Sequence, residues 1–81
     1  MKDEVKYCVD TVELQKLMIE NGINSFGEMS RRSGVGRDTV SDVVKGLKRP
    51  STGVMDKFVA TLHMEPQVAG AVFFKPILRN T

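Results

Sequence analysis

The segment Ser25–Ser51, SFGEMSRRSGVGRDTVSDVVKGLKRPS, constrains this chain more than any other. Its start and stop signals are closely spaced. Ser25 followed by Glu28 has the form of a capping box opening a helix, and Gly34 ends that helix. Gly36 opens a second helix, about 37–45, and Gly46 stops it. At 100° per residue, Val40, Val43, Val44 and then Leu47 fall on one side of the second helix. Arg37, Asp38, Ser41, Asp42 and Lys45 fall on the other. Three valines are poor helix formers, so packing rather than propensity must hold this helix. Met29 is the expected core residue of the first helix, and the small Ser30 lets a neighbour approach closely.

Two short helices joined by a glycine turn, the second with a polar face, form the layout of a helix-turn-helix, here about residues 25–46. Gly34 supplies the positive φ of the turn, while Val35 and Val40 lock the two helices at a fixed angle. The first residues of the second helix then protrude and meet base edges in a DNA major groove. Arg37 suits bidentate bonding to guanine O6 and N7. Asp38 and Asp42 either accept from a cytosine amino group or hold Arg37 and Lys45 in place. Lys45, Lys48 and Arg49 suit phosphates, and one of Arg31 and Arg32 is expected to reach the backbone.

The rest of the chain supplies a helical body. Asp10 with Glu13 reads as a capping box, and Val9 with Leu14 as its hydrophobic staple, for a helix at about 11–21. Leu14, Leu17 and Met18 form its apolar stripe, and Gly22 its stop. Ser51 caps a fourth helix at about 52–62, with Val54, Phe58 and Leu62 inward. Pro66 suits the first turn of a fifth helix through about Ala71. Residues 5–9 and 72–75 are strand-like in composition, with Pro76 ending the second. Either these segments pair as a two-stranded sheet, or the ends fray with Phe73 or Phe74 packed on the first helix. The reading is a mainly α, compact five-helix single domain over 1–81, with a short terminal sheet as the open question.

Composition narrows the function classes. A lone Cys8 excludes an intramolecular disulfide, and with a lone His63 it makes no zinc site, so no metal or cofactor is expected. Cys8 reads as a small hydrophobe and His63 as a helix-end residue. No apolar run approaches the roughly 20 residues of a membrane span and no signal peptide is evident, so cytoplasmic residence is expected. Net charge is only +2, but residues 24–52 carry six cations against three carboxylates while residues 1–23 are net −2. Positive charge therefore concentrates on the helix-turn-helix, as phosphate binding requires.

The segment resembles the lambda-repressor-like, Cro and Xre family of helix-turn-helix regulators. Met29-Ser30 stands for the family's Leu-Ala-like pair, Gly34-Val35-Gly36 for its turn, and Thr39-Val40-Ser41 for its Thr-Ile-Ser-like triplet. Gly46 with Pro50-Ser51 stands for the family's closing Gly…Pro-Ser, and the likeness covers about 10–72. The flanks, Lys6–Asp10 and Val72–Arg79, look like those of small Cro-like phage and mobile-element regulators, where they often form a two-stranded sheet. The resemblance implies base contacts from Arg37, Asp38, Ser41 and Asp42. It places Thr39, Lys45, Lys48 and Arg49 near the DNA backbone, where Ser25 and Arg32 are also expected. In two places the chain departs from the pattern: Phe26 replaces a glutamine that commonly touches phosphate, and Gly36 replaces a capping serine or threonine.

The expected function is sequence-specific binding of double-stranded DNA by a repressor-like transcriptional regulator. Catalysis and a small-molecule ligand are not expected, since His63 lies far from any nucleophile or carboxylate cluster at triad-like spacing. The rival is a protein-binding module of the antirepressor or antitoxin kind, favoured by the acidic Asp38 and Asp42 and by Phe26. A homodimer through the C-terminal helix and tail, with Phe73, Phe74 and Ile77, would read half-sites ~34 Å apart. Alternatively these residues simply cover the first helix.

Overall fold

Asp10 opens α1 (Thr11–Glu20) by accepting the Glu13 N–H on Oδ1 at 3.1 Å. Only this half of the expected capping box forms. The Asp10 N–H donates instead to the Val72 carbonyl at 2.7 Å, tying the start of the helical body to its end. Val9 and Leu14 are both buried, as a hydrophobic staple requires. The computed structural model describes residues 6–77 and contains α1, α2 (Phe26–Ser33), α3 (Arg37–Val44), α4 (Thr52–Leu62) and α5 (Pro66–Phe73). Two short strands, β1 (Tyr7–Cys8) and β2 (Lys75–Pro76), complete these residues.

The terminal sheet forms, in a shorter and shifted version of the expected one. β1 and β2 pair antiparallel with Tyr7 opposite Pro76 and Cys8 opposite Lys75. Val72 and Phe73 are helical rather than extended, because continuing α5 past Ala71 buries both completely in the core. Burial overrides their strand propensity. Pro76 lies within β2 rather than ending it. The Ile77 N–H donates to the Lys6 carbonyl at 2.9 Å, so the alternate residue, Pro76, presents its nitrogen to the outer edge, where no ladder bond is lost. Val5, at the start of the expected first strand, lies outside the described residues, as do Leu78 and Arg79 at the end of the C-terminal flank.

One core joins all five helices, from Leu14 and Met18 of α1 through Met29, Val40, Val43 and Val44 to Phe58, Leu62, Val72 and Phe73. Phe58 and Phe73 meet with ring centroids 6.4 Å apart. Val54 is half-buried against this core.

The exits of α1 and α3 use one device. After α1, the Gly22 N–H reaches Ile19 O at 2.9 Å and the Ile23 N–H reaches Met18 O at 2.8 Å. After α3, the Gly46 N–H reaches Val43 O at 3.1 Å and the Leu47 N–H reaches Asp42 O at 2.8 Å. Both are Schellman closures. Their consequences are opposite: Ile23 turns into the core, whereas Leu47 is 72% exposed. The expected extension of the valine stripe to Leu47 is thereby corrected, because the reversal at Gly46, with φ 78°, takes Leu47 off the helical face. His63 ends α4 at φ 54°, with Met64 N–H on Val59 O at 3.1 Å.

Candidate nucleic-acid interface

α2 spends its polar groups on the protein itself. Ser25 Oγ accepts the Glu28 N–H at 3.0 Å and opens the helix. The Glu28 carboxylate receives Arg32 Nε at 2.8 Å and also pairs with Arg31. The hydrogen bond from Arg32, helped by the positive charge of both guanidinium groups, holds the Glu28 carboxyl below its ordinary range. Arg32 also donates to the Asn21 carbonyl at 3.1 Å, satisfying a group at the exit of α1. Ser33 Oγ donates to Met29 O at 2.7 Å, and Ser30 Oγ donates across the turn to Val35 O at 2.6 Å.

Gly34 takes φ 77° between the two helices. Nothing beyond its immediate chain neighbours crowds the place where its Cβ would be, so the requirement for glycine is the backbone conformation itself. Val35 is buried and points the chain into α3, whose start at Gly36 has no side-chain cap.

On α3, Val40, Val43 and Val44 are buried, and Met29 of α2 is fully buried in the same core. Asp38 is exposed on the opposite face, with Ser41 and Asp42 half-buried beside it. Exposed Arg37, three residues before Val40 and seven before Val44, borders the valine side and with Val44 lines a groove, which corrects its expected place opposite the valines. Among the described residues, the side chains of these four groups have no hydrogen-bond or ion-pair partner. The option that Asp38 and Asp42 hold Arg37 and Lys45 is therefore not realised in this state. Thr39 is half-buried on the same helix.

Lys45 lies with Nζ 5.9 Å from the centroid of the Phe26 ring, a cation–π contact. Phe26 is half-buried and packed on the core, so it supports the interface from below. Lys48 is exposed in the loop that follows. Arg49 is engaged elsewhere: it donates to Tyr7 O at 3.0 Å and Phe73 O at 3.2 Å, and lies 5.4 Å from the centroid of Phe74. Partners 42 and 24 residues away leave no local signal in the sequence. The structure thus brings together Arg37, Asp38, Ser41 and Asp42, with Lys45 and Lys48 close along the chain. It places Ser25 and Arg32 on the supporting helix and directs Arg49 to the terminal sheet.

Of the three C-terminal residues expected at a dimer surface, Phe73 is buried, while Phe74 and Ile77 remain exposed together with Tyr7. No helix among the described residues is long and apolar enough to cross a membrane.

Residues 13–67 match the family described as the Cro/C1-type HTH DNA-binding domain. The match runs from α1 to the first turn of α5 and contains the whole α2–turn–α3 unit. It covers more than half of the chain, which therefore belongs to the Cro/C1-type HTH DNA-binding domain family. It is thus, at family level, a DNA-binding regulator. Comparison with curated proteins and with solved structures gave no match.

Proposed function

We propose that this chain is a repressor-like, sequence-specific regulator that places α3 in the major groove of double-stranded DNA. The observation that carries the reading is the outward face of α3, where Arg37, Asp38, Ser41 and Asp42 have no partner among the described residues while the polar side chains of α2 do. Base edges supply such partners. Arg37, in the first turn, reads guanine through O6 and N7, and Asp38 and Asp42 accept from cytosine amino groups with Ser41 between them. Lys45 and Lys48 neutralise phosphates, with Ser25, Arg32 and Thr39 along the flanking backbone. Regulation follows from occupancy of the site, without catalysis, metal or cofactor, and the working compartment is the cytoplasm. A homodimer formed through the exposed Tyr7, Phe74 and Ile77 would double the sequence read.

One observation favours the rival reading. Ile19 is 65% exposed and borders, with Gln15, Phe26 and Arg37, a groove beside α3 that suits an apolar side chain of a partner protein.

Selection from a random duplex library, followed by titration of the enriched site at several salt concentrations, separates the two. The regulator reading expects an enriched motif and a slope of log K on log salt of about −0.9 per phosphate contacted. Absence of enrichment together with salt-independent binding overturns it in favour of the protein-binding module.

A further inference from the structure

Arg49 stands in a basic loop next to Lys48, where a phosphate contact is the obvious assignment, yet its guanidinium satisfies two backbone carbonyls that secondary structure leaves unpaired. The Phe73 carbonyl belongs to the last turn of α5, whose carbonyls have no intrahelical donor. The Tyr7 carbonyl lies opposite Pro76, in a pair that exchanges no ladder bond, and so faces away from β2. Arg49 donates to the first through one terminal nitrogen and to the second through the other, at 3.2 and 3.0 Å. The guanidinium also stacks near the Phe74 ring, which Tyr7 holds in an edge-on contact at 5.9 Å between centroids. A planar fork with two donating edges and an aromatic face is particular to arginine; an ammonium cannot reproduce it.

We propose that Arg49 is a positioning residue, anchoring the loop that carries Lys48 to the terminal sheet rather than neutralising a phosphate itself. This rests on the DNA-binding reading above. The loop between α3 and α4 is pinned at its entry by the Schellman closure at Gly46 and at its exit by buried Pro50. Arg49 adds a third fixed point, immediately after Lys48. The sheet, at the two ends of the described chain and outside the matched 13–67, becomes the abutment of the DNA-facing loop.

The test measures binding to a mixed-sequence duplex at several salt concentrations, since the phosphate component is independent of sequence. The proteins are the wild type, Lys48→Ala, Arg49→Ala, Arg49→Lys and the Lys48→Ala/Arg49→Ala double variant, each held below its unfolding temperature. The magnitude of the salt slope should fall by about 0.9 in each single variant, Arg49→Lys included, and no further in the double variant. Arg49→Lys with the wild-type slope overturns the proposal, because charge alone would then suffice. So does a double variant that loses twice as much, or a folded Arg49→Ala protein with unchanged slope and affinity. Where Arg49→Ala does not fold, the slope of Arg49→Lys decides. A wild type without salt-dependent binding overturns the DNA-binding reading itself, whereas a binding wild type with full rescue by lysine overturns only the role given to Arg49.

Discussion

α2 and α3 are each eight residues long, packed on one core and joined by three residues, yet they use their polar side chains in opposite ways. Ser25, Glu28, Ser30, Arg31, Arg32 and Ser33 all bond within the protein. Arg37, Asp38, Ser41 and Asp42 bond to nothing else among the described residues. The difference is one of role. Hydrogen bonds inside α2 fix its ends, the turn and its contact with α1, so α2 is a support. A recognition surface needs donors and acceptors whose present partner is water, because such groups exchange water for base edges without breaking internal bonds. Helix capping follows the same division: α2 has a serine cap, and α3 begins at a bare glycine.

Four changes would break or sharpen this contrast. The largest effect belongs to the support. Met29→Ala empties a fully buried site and should cost about 2–5 kcal/mol of stability by denaturant unfolding. Next comes the reading face. Arg37→Ala should weaken binding to the selected site by about 1–3 kcal/mol and relax preference at one base position, with an unchanged melting temperature. A fall in melting temperature matching the loss of affinity would move Arg37 into the scaffold and erase the contrast.

Ser25→Ala should cost about 1 kcal/mol of stability through loss of the α2 cap. Thermal unfolding of the free protein would show it without any DNA present. The smallest effect is pH-dependent. Because the folded Glu28 carboxyl titrates below its unfolded value, its contribution is complete above the ordinary carboxylate range. That contribution disappears as pH falls through the lowered folded value. Melting curves recorded from neutral pH downward should therefore fall less steeply with acid for Glu28→Gln than for the wild type. Equal acid slopes would show that the Arg31–Glu28–Arg32 cluster contributes nothing to the support.

Much of this arrangement is legible in the sequence because its signals are local. The caps at Asp10, Ser25 and Ser51, the glycine exits and the valine face of α3 each follow from residues within one or two turns of each other. What escaped depends on distant neighbours. Gly22-Ile23 and Gly46-Leu47 have the same form, but only Ile23 finds the core. At Gly46 the side chain of Thr11 lies 3.2 Å from the position of a Cβ, so α1 packs tightly against that exit and a side chain there would be both strained and crowded. The reciprocal halves of the two capping boxes are likewise lost to competitors outside the local sequence: Val72 takes the Asp10 N–H, and the two arginines take the Glu28 carboxylate. The switch of Val72 and Phe73 from strand to helix, and the ties of Arg49, depend on contacts that close only when both ends of the chain meet.

The central claim is that the unpartnered face of α3 is the surface that meets DNA. Titration of the isotopically labelled protein with its selected duplex, followed by amide and side-chain NMR, tests it most directly. The account predicts the largest shifts at Arg37, Asp38, Ser41 and Asp42, with smaller ones at Lys45 and Lys48 and little change at Ser30 and Ser33 inside the support. Shifts confined to Tyr7, Phe74 and Ile77, or to the groove around Ile19 and Phe26, with α3 silent, would contradict it.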